Sequence, residues 1–448
     1  MRLLVIGGSD AGISAGLRAR ELDPTADVTL LVADRYPNFS ICGIPYHVSG
    51  DVPDWQSLAH RSLTDLETAG LQLRLQHRAT TIDPDAHTVT ADGGNVTFEY
   101  DRLVIGTGAV PARPPINGLD RFGPADGVHL LHTMDDTFTL LRTITDRHAR
   151  SAVIVGAGYI GLEMAEALTT RGLTVTLLEQ VPQVMPTIDP DLAEPLAAHL
   201  RDRGVTVHTG TKVHTIHRIP GGLVVDTDSG DHTGDLVLVV TGVRPDVQLA
   251  ADAGATLGIR GAIAVDRGMR TNLPDIYAAG DCVHTYHRLL GQHVYLPLGS
   301  TAHKQGRVAG TNAAGGNAQF AGSLGTQAVK VFDHVVAGTG LRDHTARAAG
   351  YDPVTVAATA DDHKAYYPGA TPIRIHRCWR RSALDRPWTA ARRCSQEATV
   401  SWCAGGSRIG SRRHPVTASP WPCCGCRVAG WWRVARRGRP GPGPAVSW

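Results

Sequence analysis

Short runs of apolar residues that end in glycine recur along the chain. Residues 3–6 form one such run, followed by a glycine-rich turn over 7–12, small residues at helical spacing to about Leu22, and a second apolar run over 28–32. The layout returns with the run 152–155, the turn 156–161, a helical stretch to about Arg171 and the run 175–179. Unbroken apolar runs of this length, bounded by turns, read as strands buried on both faces. Strand, glycine turn, helix and strand together read as a βαβ unit, so the duplication predicts two doubly wound parallel sheets. Arg102-Leu-Val-Ile-Gly-Thr-Gly-Ala-Val-Pro reads as a buried strand leaving into a turn, and Asp275-Ile-Tyr-Ala-Ala-Gly-Asp-Cys repeats that layout. The first domain is therefore predicted to be completed after the second has been inserted into it. From about Gly325 strands and turns alternate in an antiparallel style, as in 327–332 and 335–340, which predicts a third domain.

The chain has 448 residues, more than one core usually supports. Its net charge of +2 hides two unlike parts. Residues 1–376 carry 30 basic and 40 acidic groups, a net −10, whereas 377–448 hold 14 Arg, no Lys, one Asp and one Glu, a net +12. Six of the eight Cys and seven of the eight Trp also fall after residue 376. The remaining thiols, Cys42 and Cys282, fit a reducing compartment without a disulfide framework. Residue 1 leads straight into a strand, and no apolar run approaches the eighteen or so residues of a membrane span. A cytoplasmic protein with no membrane partner is the expectation.

Gly156-Ala-Gly-Tyr-Ile-Gly places Gly156, Gly158 and Gly161 in a full G-x-G-x-x-G between a strand and a helix. Glycines there let the backbone approach a pyrophosphate at the helix N-terminus, and Glu179 at the end of the next strand can accept from a ribose 2′-OH. A carboxylate repels a 2′-phosphate, so NADH is expected over NADPH. In the first turn Gly7, Ser9 and Gly12 take the three glycine places. The position matching Glu179 is Val32, and Asp34 lies two residues on, either on a ribose or as a solvated turn acid.

Asn38-Phe-Ser-Ile-Cys-Gly-Ile-Pro-Tyr-His resembles the single-cysteine segment of coenzyme A-disulfide reductases and related NADH oxidases and peroxidases, in the pyridine nucleotide-disulfide oxidoreductase family. The resemblance spans about residues 1–375 and is carried further by Thr107-Gly-Ala-Val-Pro, Thr241-Gly-Val-Arg-Pro-Asp, Ile276-Tyr-Ala-Ala-Gly-Asp-Cys, Gly306-Arg-Val-Ala-Gly and Tyr366-Tyr-Pro-Gly-Ala. It implies FAD bound with the help of Thr107, Gly108, Gly280 and Asp281, a nicotinamide pocket gated by Tyr159, and NADH or NADPH as electron donor. It also implies a homodimer in which Tyr366 or Tyr367 reaches the partner's active site. The fold class expected is α/β, with an FAD domain (1–115 and 245–322) interrupted by an NAD(P)H domain (116–244). A truncated α+β dimerisation domain (323–376) and an anomalous tail (377–448) follow.

Cys42 is the expected redox residue. Pro45 suits the first turn of a helix, which would set Cys42 beside a helix N-terminus where partial positive charge favours a thiolate. Cys282 reads as a packing residue. Residues 1–376 hold no Cys-x-x-x-x-Cys, so the second sulfur must come from outside: a small disulfide such as coenzyme A disulfide, or peroxide or oxygen acting through a sulfenic acid. The family's oxidases and peroxidases carry a histidine where Asp10 stands, which favours disulfide reduction. Its coenzyme A enzymes carry Arg-Arg where this chain has Arg20-Glu21, so the identity of the disulfide is open. After residue 376 the resemblance stops, and the Arg, Trp, Cys, Gly and Pro enrichment without strand or helix period reads as a shifted frame. No metal and no nucleic acid is expected for Cys423-Cys-Gly-Cys and its basic surroundings. A poor dimer follows, and in the extreme a flavin-binding protein with impaired turnover.

Overall fold

The computed structural model describes residues 1–380 and 399–405. Its first sheet is parallel and runs, in order, Ile276–Ala278, Arg102–Ile105, Arg2–Ile6, Asp27–Val32 and Leu71–Leu75. Leu3 pairs with Val28 on one side and with Arg102 on the other, and Leu103 pairs with Ile276. Strand Ile276–Ala278 therefore returns to the sheet begun at Arg2–Ile6, after the whole second unit, as the repeated strand-to-glycine layout predicts. The helix Asp10–Leu22 packs on the helix Gly299–Ala313. A Cβ on Gly306 or Gly310 would fall on the carbonyl oxygen of Ala11 or Ala15, so these glycines allow the two backbones to touch.

The second sheet is also parallel, in the order Thr206–Thr209, Thr174–Glu179, Ser151–Val155, Leu236–Val239 and Val128–His129. It carries the helices Tyr159–Thr170 and Pro190–Asp202. Each nucleotide unit has a three-stranded antiparallel meander, Ala79–Asp83 to Val96–Glu99 in the first and Val213–Ile219 to Gly230–Gly234 in the second. Strand Ala109–Pro111 leaving the first unit pairs antiparallel with Val243–Pro245 returning to it, so one two-stranded ribbon carries both crossings.

The third sheet is antiparallel: Gln327–Val331, His334–Thr339, Thr399–Gly405, Pro372–Arg380, Pro353–Asp361. This sheet extends beyond the 323–376 expected for the third domain. The strand over 372–380 runs past residue 376, and a strand from the segment read as structureless sits in the middle of the sheet. Val336 pairs with Cys403 on one side of it and Ile375 with Trp402 on the other. The cluster around Cys423 lies outside the described residues. Among the described residues no helix is long and apolar enough to cross a membrane.

One core joins the three units. Ile44 and Val48 of the first, Leu162 and Leu168 of the second, and Val329, Val331 and Val336 of the third belong to a single buried cluster. Whatever is built on residues 41–49 is thereby held against the second and third units.

Candidate functional site

Cys42 lies in a single 3-10 turn, Ile41–Gly43, that runs directly into the short helix Ile44–Ser49, with Pro45 in its first turn. That helix packs on Tyr159–Thr170, and Arg171 donates to the carbonyl of Val48. The residue is exposed, yet the protein around its sulfur excludes enough water to push the thiol above its ordinary range. Glu163, Asp10 and Asp281 push it further in the same direction. Placement beside a helix start matches the sequence expectation; the expected thiolate stabilisation by the chain's own charges does not. Burial is the larger cause and the three carboxylates add to it, beside a helix of only six residues. Cys282 is fully buried, with Sγ 3.4 Å from the Ala279 carbonyl oxygen, and burial raises its thiol to about 11, as befits packing.

Glu163 is the site residue that sequence reading missed. It stands one helical turn beyond Tyr159, on the same face, a spacing visible in the sequence once the helix is known. Burial raises its carboxyl to about 7, Glu166 adds to this, and Lys330 opposes it. Lys330 Nζ reaches Glu166 Oε1 at 2.9 Å and sits 5.9 Å from the Tyr46 ring centre, so residues of all three units meet here. Because its native pKa lies above the ordinary 4.5, Glu163 stabilises the fold below that pH, and the contribution is lost as pH rises through about 7. Glu163→Gln is therefore expected to gain stability over the parent chain as pH rises across that window, read by denaturant melts. The same change is expected to move the pH profile of Cys42 alkylation to lower pH. An unmoved profile would show that the carboxylate does not act on the thiol.

Both glycine turns fold tightly back on the helix that follows them. Gly7 has φ +116 and Gly156 φ +107, and a Cβ on Gly156 would lie 2.6 Å from the Val240 oxygen. A Cβ on Gly12 or Gly161 would collide with the carbonyl of Gly7 or Gly156, which closes each turn on its own helix. Ser9 and Gly158 occupy the N-cap positions and supply no side-chain cap, so the first N–H groups of both helices lack that partner. At Gly158 a Cβ would meet nothing within 4 Å. The open cap position and uncapped N–H groups fit a pyrophosphate at each helix start.

The acids are less uniform. Glu179 accepts from Ala157 N–H at 2.7 Å and from Val181 N–H at 3.0 Å, so its carboxylate braces the glycine turn at the end of its strand. Asp34 Oδ1 accepts from Tyr36 N–H at 2.8 Å in a local turn, and burial raises its carboxyl. Asp281 follows Gly280, whose φ is +93; burial lifts its carboxyl to about 6, and Asp10 adds to the rise. Thr107 donates to the Asp246 carbonyl oxygen at 2.6 Å, and Gly108 turns the chain with φ +73. Tyr159, first residue of its helix, holds its hydroxyl 3.0 Å from Thr187 Oγ1, and burial lifts that hydroxyl to about 12.

Tyr366 and Tyr367 are not brought to Cys42 within the chain. They lie on the connection between Pro353–Asp361 and Pro372–Arg380, stacked on one another with ring centres 5.1 Å apart, and are 74% and 53% exposed.

The family profile described as pyridine nucleotide-disulphide oxidoreductase matches residues 1–306. An NAD(P)H sulfur oxidoreductase (CoA-dependent) of Pyrococcus furiosus is 33% identical over 385 residues, which cover 86% of this chain and 85% of that protein. An NADH oxidase of Methanocaldococcus jannaschii is 34% identical over 381 residues, covering 84% of each. Among solved structures, an NAD-dependent persulfide reductase from A. fulgidus matches with a TM-score of 0.84 at 35% identity, over 91% of this chain and 74% of that one. A profile match over residues 1–306 and relatives above 30% identity along most of the sequence establish that the chain belongs to the pyridine nucleotide-disulphide oxidoreductase family, whose members are NAD(P)H-dependent flavin oxidoreductases.

Proposed function

We propose that the protein reduces a small disulfide or persulfide with NADH, using Cys42 as its single redox residue. The observation that carries this is the exposure of Cys42 just before the helix Ile44–Ser49, whose Ile44 and Val48 belong to the core shared by the three units, while Cys282 is fully buried. FAD, held by the residues named below, would supply hydride acceptance from NADH and two-electron reduction of a disulfide at Cys42. The chain's own part is placement. The glycine turns at Gly7, Ser9 and Gly12 and at Gly156, Gly158 and Gly161 hold the two pyrophosphates. Thr107, Gly108, Gly280, Asp281 and Asp34 frame the FAD site, and Tyr159 stands at the nicotinamide side.

The Cys42 thiolate attacks one sulfur of the substrate, forms a mixed disulfide and releases the other sulfur as a thiol once protonated. Two electrons and a proton then free the second thiol, so one NADH and one proton are consumed for each disulfide. The relatives named for sulfur and persulfide reduction support this acceptor class, as does Asp10, which stands where the family's oxidases and peroxidases carry a histidine. An anaerobic panel of disulfides and persulfides, set against oxygen and peroxide consumption by the same sample, tests the reading. Faster turnover with peroxide or oxygen than with every sulfur acceptor would replace it by the oxidase or peroxidase reading.

Two finer assignments belong to the same proposal. Glu179 faces the ribose, so kcat/KM for NADH is expected to exceed that for NADPH at least about tenfold, or roughly 1.4 kcal/mol. Equal efficiencies would mean that Glu179 only braces its own turn. Pairing of two copies would use the outer half of Pro353–Asp361 and the Tyr366–Tyr367 pair, a surface that also exposes 53% of Val356, and a poor dimer remains the expectation.

A further inference from the structure

Away from the redox site, two histidines and an aspartate converge between the second and third units. His199 lies in the last turn of the helix Pro190–Asp202, and Asp333 and His334 close the hairpin between Gln327–Val331 and His334–Thr339. One ligand atom from each lies within 4.8 Å of the others. His199 Nε2 approaches Asp333 Oδ1 to 2.7 Å, and His334 Nδ1 approaches the same oxygen to 3.7 Å. All three atoms are buried, and none has a partner with the alignment of a hydrogen bond, so the 2.7 Å contact is close but undirected.

The surroundings order the carboxylate. Arg203 Nη2 binds the other oxygen, Asp333 Oδ2, at 2.7 Å, and its guanidinium lies 5.4 Å from the Phe332 ring centre. Oδ1 is thus turned toward the imidazoles while Oδ2 is occupied. Two imidazoles and one oriented carboxylate form the donor set preferred by zinc and neighbouring divalent transition metals, at about 2.0–2.2 Å. Ligands at that distance from one ion stand roughly 3–3.5 Å apart, between the 2.7 Å and 3.7 Å separations of the two imidazoles from Asp333 Oδ1.

We propose that His199, Asp333 and His334 bind one zinc-like divalent cation, with water completing a tetrahedral shell. His199 and His334 stack with ring centres 3.7 Å apart. Coordination requires each lone pair to point at the ion, so the more exposed His334 ring turns out of the stack. The ion joins the C-terminal end of the helix Pro190–Asp202 to the hairpin. At the other end of that helix, His376 Nε2 lies 3.1 Å from Asp191 Oδ2, another link to the third sheet. The cation therefore fixes the orientation of the third unit against the second.

The test uses the FAD-loaded full chain and Zn2+ in competition with a chromophoric chelator, before and after thiol alkylation, because thiols also bind zinc. The parent chain is expected to keep one alkylation-resistant Zn2+ per chain. His334→Ala and Asp333→Asn, each checked for FAD content and helical signal, are expected to weaken it at least about tenfold. Zn2+ should also raise the melting temperature of alkylated parent chain and leave that of both variants unmoved. Absence of an alkylation-resistant ion, or equal retention by the parent and a folded variant, would overturn the site. Activity is not the readout, so failure here leaves the redox proposal standing.

Discussion

Cys42→Ser is expected to retain FAD and the fold while losing NADH-dependent disulfide reduction by about 10³-fold or more, roughly 4 kcal/mol of transition-state stabilisation. Serine keeps the size of the side chain in the Ile41–Gly43 turn, so Ile44, Val48 and Leu58 stay packed beneath it. A hydroxyl, however, neither ionises in the working range nor forms a bond that two electrons can reopen. Flavin absorbance, melting temperature and anaerobic turnover on the same preparation separate the chemical loss from a folding loss. Disulfide turnover unchanged in the serine variant would remove Cys42 from the mechanism. Reduction of bound FAD by NADH should continue in the variant, because that half of the reaction does not involve the thiol.

Alanine at Gly161 and at Gly158 should fail in different ways, although both positions belong to one motif. At Gly161 the added carbon would overlap the Gly156 carbonyl oxygen, a backbone atom that cannot step aside. Overpacking of a closed turn costs about 1–3 kcal/mol or more and should lower the melting temperature together with NADH use. At Gly158 the added carbon meets nothing within 4 Å, so the melting temperature should hold. What it enters is the space proposed for the pyrophosphate, so KM for NADH should rise by about tenfold or more while FAD content is unchanged. Equal melting losses at the two positions, or an unaffected KM in Gly158→Ala, would refute this division of labour.

Apolar runs with glycine turns were sufficient to place both βαβ units to within a residue or two, because their strands are buried on both faces and their turns need backbone conformations that few residues besides glycine adopt. The return of Ile276–Ala278 to the first sheet was also legible, as a repeat of the strand that leaves at Arg102–Ile105. The strand Thr399–Gly405 was not foreseen. Alternation of polar and apolar residues over Thr399-Val-Ser-Trp was present in the sequence, but unusual composition on either side obscured it. Backbone pairing with strands on both sides favours that segment, and this support is invisible until the neighbours are in place.

The sequence by itself determined the two nucleotide units, the position of Cys42 at a helix start and the burial expected of Cys282, since each follows from residues close together in the chain. The charge around Cys42 was decided only by the tertiary structure. Asp10, Glu163 and Asp281 come from three separate segments, and desolvation together with their fields raises the thiol. The Lys330–Glu166 pair and the His199, Asp333 and His334 cluster were likewise decided by the fold, because they exist only where the third unit is docked against the second. Local pattern specifies elements; the energy of a charge or a ligand set depends on which distant groups share its desolvated surroundings.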